Sequence, residues 1–229
     1  MHVGLIGGIG PAATEYYYRG LYESQATWAN PDAGMDLTIV HAGNRELVAN
    51  FTAGRFTEQA EIFARLIERL KGAGADAAAI TSMGGHFCIE QLRPISPLPL
   101  IDALPVLNTD LAARGFKKVG LLGTFRVMET GAYGALSDVN WVAPPDDDLM
   151  AVHDTYVAMA TAGVTTDTQR AHLFAAGRAL YEDQGVDVVV LAGTDLFLAF
   201  QGHDCGFPVI DSADIHIAEI SRQLQAPAP

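Results

Sequence analysis

Cysteine is nearly absent from this chain: Cys88 and Cys205 are the only two in 229 residues. Two thiols make no disulfide framework, which points to a reducing compartment. Basic residues are also scarce, with 14 Lys and Arg against 27 Asp and Glu, for a formal net charge of −13. That balance opposes nucleic acids and anionic membranes as partners. A small carboxylate can still bind where a few local donors outweigh the mean field. No apolar run reaches the ~18–20 residues of a membrane helix. The opening MHVGLIGGIG has no basic segment followed by a long apolar stretch, so no secretory leader is expected and a cytoplasmic protein is. The seven histidines show no H-E-x-x-H or similar spacing, and no metal site is expected.

What is abundant is apolar: 49% of the residues, enough for a sizeable core. Short β-branched runs fall at 3–6, 37–41, 77–81, 119–122, 149–152, 186–191 and 208–210, each closed by turn residues. Between most of them lie helical patterns. Phe63, Leu66, Ile67 and Leu70 share one face, as do Leu173, Ala176, Leu180 and Tyr181. Alternation of the two signals predicts an α/β fold with mostly parallel sheets flanked by helices. AGADAAAITS (73–82) and QGVDVVVLAG (184–193) echo each other, which suggests two pseudo-symmetric halves. The Pro-rich run 94–105 suggests a break near Leu104, giving a first half of 1–104 plus 212–229 and a second of 105–211. The terminal APAP (226–229) reads as a fraying end.

Ligands of open parallel sheets sit beyond the carboxyl ends of the strands. The segments that follow strands are therefore the candidates. The first is Gly7-Gly8-Ile9-Gly10-Pro11-Ala12-Ala13-Thr14, where glycines allow close backbone approach and Pro11 suits a first helical turn. Its spacing is not G-x-G-x-x-G, and no Gly-Lys-Ser/Thr follows, so it is no nucleotide loop. The others are Thr81 to His86, Gly120 to Thr124, Ala192 to Leu196, and Asp211-Ser212 with His216 one turn later.

In this order and spacing the segments resemble the aspartate/glutamate racemase family over roughly residues 3–220. Gly7 to Thr14, Gly120 to Thr124, and Asp211, Ser212 and His216 carry the likeness. The resemblance implies two α/β halves with the active site in the cleft between them, no cofactor, and often a homodimer. It also implies a pair of cysteines, one removing the Cα proton and the other delivering a proton from the opposite face. Here the family's Cys-Asn-Thr-x-His aligns with Ser82, Met83, Gly84, Gly85 and His86. Its Gly-Cys-Thr-Glu aligns with Ala192, Gly193, Thr194 and Asp195. Serine thus stands for one thiol and glycine for the other. A serine hydroxyl is a far weaker acid than a thiol of pKa ~8.5, and glycine has no side chain, so the two-thiol mechanism is expected to be absent.

Each position has two readings. Ser82 is a catalytic hydroxyl activated by His86 four residues on, or a helix cap; His86 is a base or donor, or a structural histidine. Thr124, Thr194 and Asp195 bind a carboxylate or assist acid–base chemistry, or Thr194 and Asp195 cap a helix. Asn44 and Arg45 clamp a carboxylate, or Arg45 is solvated. Gly8, Pro11, Met83, Gly84 and His216 are further substrate-binding positions implied by the resemblance. Cys88 and Cys205 read as incidental thiols. Asp146, Asp147 and Asp148 read as a solvated loop. The expected function is isomerase-type chemistry at the α-carbon of a small carboxylate in a remodelled site. The alternatives are a one-base lyase, decarboxylase or hydrolase, or a ligand-binding protein without turnover.

Overall fold

A computed structural model describes residues 1–226. The chain divides into two compact units, Met1–Ala103 with the chain from His216 onward, and Leu104–Ile215. The first holds β1 (Val3–Gly7), α1 (Pro11–Ser24), β2 (Leu37–His41), α2 (Asn44–Thr52), α3 (Phe56–Gly72), β3 (Ala77–Ile80) and α4 (Ile89–Leu92). The chain then runs through α5 (Ala103–Ala113), β4 (Lys118–Gly123), α6 (Phe125–Gly134), β5 (Asn140–Val142), α7 (Asp146–Ala162) and α8 (Asp167–Glu182). It ends with β6 (Val188–Ala192), α9 (Phe197–Phe200), β7 (Val209–Asp211) and α10 (Ser212–Leu224). Among the described residues no helix is long and apolar enough to cross a membrane. The expectation of a fraying end falls on residues 227–229, outside the described residues; the carbonyl of Ala226 accepts a hydrogen bond from the N-terminal ammonium at 2.9 Å.

Each unit has its own parallel sheet. The first is ordered β2-β1-β3, and Leu100 adds a parallel bridge to Ala78 at the β3 edge. The second is ordered β5-β4-β6-β7 and is parallel throughout. Both place the unit's first strand inside, its second at one edge and its third on the other side. The likeness extends to packing. A Cβ on Gly4 in β1 would stand 2.7 Å from Leu70 of α3, and one on Gly120 in β4 would stand 3.1 Å from Leu180 of α8. Each central strand thus carries a glycine where a helix leucine presses onto it. Every residue of β1, β3 and β6 is buried, as expected for strands covered on both faces.

Two expectations fail in the second unit. Residues 149–152 are not a strand but part of α7, where Leu149, Val152, Tyr156 and Met159 form the buried stripe at helical spacing. Asp146, Asp147 and Asp148 are not a loop; they are the first turn of that helix, where carboxylates complement the exposed N–H groups. The strand beside β4 is Asn140–Val142, a three-residue edge strand too short to stand out as an apolar run.

Candidate functional site

The sequence-derived positions gather at the carboxyl ends of both sheets, one group in each unit. In the first unit β1 is followed by Gly8 at φ +87°, a conformation glycine adopts without penalty. A Cβ there would stand 2.2 Å from Nδ1 of His41, the exposed imidazole that ends β2. The Gly8 N–H donates to Thr14 Oγ1 at 2.8 Å, and Thr14 Oγ1 donates to the Gly10 carbonyl at 3.0 Å. Pro11 is the exposed first residue of α1. Asn44 opens α2 and is partly exposed; Arg45 is exposed and forms no ion pair among the described residues.

Ser82 follows β3 and is buried. Its hydroxyl accepts from the Gly85 N–H at 3.2 Å, at the start of the 3₁₀ turn Gly84–Cys88. Met83 is also buried, while Gly84 is partly exposed. His86 does reach Ser82, but at its backbone: Nδ1 lies 2.7 Å from the Ser82 carbonyl oxygen. A carbonyl only accepts, so Nδ1 carries the proton. Nε2 turns toward Asp102 Oδ1 at 3.7 Å, and Asp102 Oδ2 accepts from Arg93 at 2.6 Å. Burial lowers the pKa of His86 against the opposing pull of Asp102. His216 is fully buried. Its Nε2 donates to the Ile101 carbonyl at 2.8 Å, so Nδ1 accepts from the Tyr17 hydroxyl at 3.0 Å. Burial, with His86 nearby, pulls its pKa down to about 4.

The second unit presents the ends of β4, β6 and β7. Thr124 stands at the N-cap of α6 yet makes no capping hydrogen bond. Its hydroxyl is buried without a partner, one of two such side-chain atoms among the described residues, with Thr165. The next N–H, of Phe125, donates to His153 Nδ1 at 3.1 Å. One turn further along α7, the buried Tyr156 hydroxyl donates to Asp195 Oδ2 at 3.5 Å. Burial, reinforced by the Asp195 carboxylate, raises the phenol pKa well above its usual value. Thr194 and Asp195 are both buried in the turn after β6. Asp211, at the end of β7, is pushed up to about 8 by burial, with Asp214 and Asp195 adding to the shift.

Gly193 has no side chain, but its space is filled. A Cβ there would stand 2.7 Å from Cε2 and Cζ of Tyr156 and 3.0 Å from its hydroxyl. His41, His153 and Tyr156 belong to these strand-end groups and were absent from the sequence-derived set. Neither cysteine joins either group through an exposed thiol. Cys88 is buried and its thiol is pushed up to about 12 by that burial. Cys205 is buried and donates its S–H to the Phe207 carbonyl at 3.2 Å.

Comparison with known proteins gives these groups a frame. A model of the Asp/Glu/Hydantoin racemase family matches residues 6–220. A Yersinia pestis structure described as a candidate Asp/Glu racemase is 24% identical with a TM-score of 0.84, covering 99% of this chain and 100% of its own. An aspartate racemase homologue from Pyrococcus horikoshii is 22% identical with a TM-score of 0.79, covering 98% and 99%. The glutamate racemase of Francisella tularensis, solved with D-glutamate, is 13% identical with a TM-score of 0.67, covering 97% of this chain and 80% of its own. At these identities the likeness of structures is one of fold. The family match covers nearly the whole chain, and the two parallel sheets flanked by helices are the fold of these neighbours: the chain belongs to the Asp/Glu/Hydantoin racemase family.

Proposed function

We propose that this protein binds a small carboxylate or amino-acid-like substrate and performs cofactor-independent acid–base chemistry at the carbon beside the carboxyl group, without a thiol pair. The observation that carries this reading is the Thr124 hydroxyl, buried at the end of β4 with nothing to bond. Leaving such a group unsatisfied costs about 1–3 kcal/mol, and a ligand oxygen would recover it. Family membership and the D-glutamate held by the Francisella relative support a carboxylate as that ligand. Both thiols are buried, and Cys88 is held far from its ionised form, so neither supports thiolate chemistry.

A second reading, binding without turnover, is favoured by the two histidines that the resemblance nominates. His86 and His216 are both buried, and both ring nitrogens of His216 are bonded within the fold. One experiment separates the readings. The protein is incubated in D₂O with the enantiomers of aspartate, glutamate and their simple analogues, and proton NMR follows the Cα signal. The first reading expects deuterium at Cα, or loss of carboxylate, for at least one compound. Saturable binding with no exchange and no consumption would support the second reading instead.

A further inference from the structure

The glycine at position 193 and the tyrosine at 156 are two halves of one exchange. The family resemblance implies an acid–base side chain at position 193. Here it carries none, and the ring that occupies the vacated volume ends in a hydroxyl 3.0 Å from where a Cβ would be. We infer that Tyr156 replaces the side chain of position 193 and is the proton donor of this half of the site. The inference rests on the acid–base reading proposed above.

Three further features fit a donor. Asp195 Oδ2 accepts the phenol hydrogen bond and fixes the oxygen two residues beyond Gly193. His153, one turn earlier on the same helix, holds the Phe125 N–H beside Thr124. That contact ties this face of α7 to the strand end that bears the unpartnered hydroxyl. Burial keeps the phenol protonated at neutral pH, which is the state a donor needs. A weakened phenol still suffices, because a carbanion beside a carboxylate is a much stronger base than phenolate. In the step, the Tyr156 O–H bond breaks and a C–H bond forms at the planar carbon that acid–base chemistry has generated. The O–H electron pair stays on the phenolate oxygen, which regains a proton from water.

The inference has a packing half and a chemical half, and both are measurable. Gly193→Ala should lower the melting temperature by about 4–8 °C through overpacking against the ring. In a Tyr156→Ala background the same Gly193→Ala step should be neutral or stabilising. An equal loss in both backgrounds overturns the exchange. Tyr156→Phe keeps the ring and removes the donor. On a substrate turned over by the intact protein, it should cut kcat by about 100-fold or more, with KM changed less than about threefold. Activity within threefold of the intact protein overturns the donor role. A merely structural tyrosine would show parallel losses of melting temperature and activity, whereas a donor loses kcat at near-constant melting temperature. If the intact protein turns over none of the carboxylates tested, the acid–base reading fails, and the donor role with it. The packing cycle would still be decided.

Discussion

Thr124→Val should make the free protein more stable and the liganded protein much weaker. Valine matches threonine in shape and removes the one polar atom that the fold leaves without a partner at the end of β4. Relief of that desolvated hydroxyl is worth about 1–2 kcal/mol, or a melting temperature about 2–8 °C higher without ligand. The same change removes a hydrogen bond to a charged carboxylate, worth about 1.5–3 kcal/mol, so affinity should fall about 10- to 100-fold. Thermal melts with and without ligand, together with calorimetric titration, read both effects. The opposite signs are the point. A threonine that served only as an N-cap would lose stability on substitution, yet Thr124 makes no capping bond. Lower stability with unchanged affinity would show that the hydroxyl serves the fold and not the ligand.

The second large effect is expected at His216. His216→Leu removes the buried donor to the Ile101 carbonyl and the acceptor that Nδ1 offers to the Tyr17 hydroxyl. That should cost about 3 kcal/mol at pH 7, or about 6–12 °C in melting temperature. The penalty should depend on pH in a defined direction. The folded imidazole stays neutral down to about 4, whereas the unfolded one takes up a proton near its ordinary value of ~6.5. Between those values the unfolded state binds more protons, so the intact protein loses stability as pH falls from 6.5 to 4. By pH 4 that loss reaches about 3 kcal/mol. The variant lacks this slope, so the gap between the two proteins should narrow steadily and nearly close. Urea melts across the range test it; a gap constant from pH 7 to 4 would contradict the buried neutral histidine. Because both ring nitrogens are already bonded within the fold, carboxylate affinity should stay within about threefold.

The parallel sheets were legible because their inner strands are short, uninterrupted apolar runs. The buried strands Val3–Gly7, Ala77–Ile80 and Val188–Ala192 all stand out in this way. The stretch Leu149–Val152 misled for the same reason. Four apolar residues in a row fit a strand or a buried helix turn, and only the later Tyr156 and Met159 reveal the helical period. That misreading had a cost at the site. With α7 unrecognised, His153 and Tyr156 could not be seen as one turn apart on one face, and both were missed. Gly193 could be read as the loss of a side chain, but not as a space filled by a ring 37 residues earlier in the chain. The four-residue spacing of Ser82 and His86 suggested contact with the serine hydroxyl. Spacing does not distinguish the serine hydroxyl from its carbonyl, and the bond goes to the carbonyl.

The central claim is that the chemistry proposed for this member of the racemase family, at a carboxylate's α-carbon, runs without sulfur. Its most direct test is the rate of deuterium uptake at Cα, or of substrate loss, by the protein with Cys88→Ala and Cys205→Ala combined. The account predicts a rate within about twofold of the intact protein's, because one thiol is buried and held protonated and the other is bonded to a carbonyl. A rate reduced to background in a folded, cysteine-free protein would contradict it.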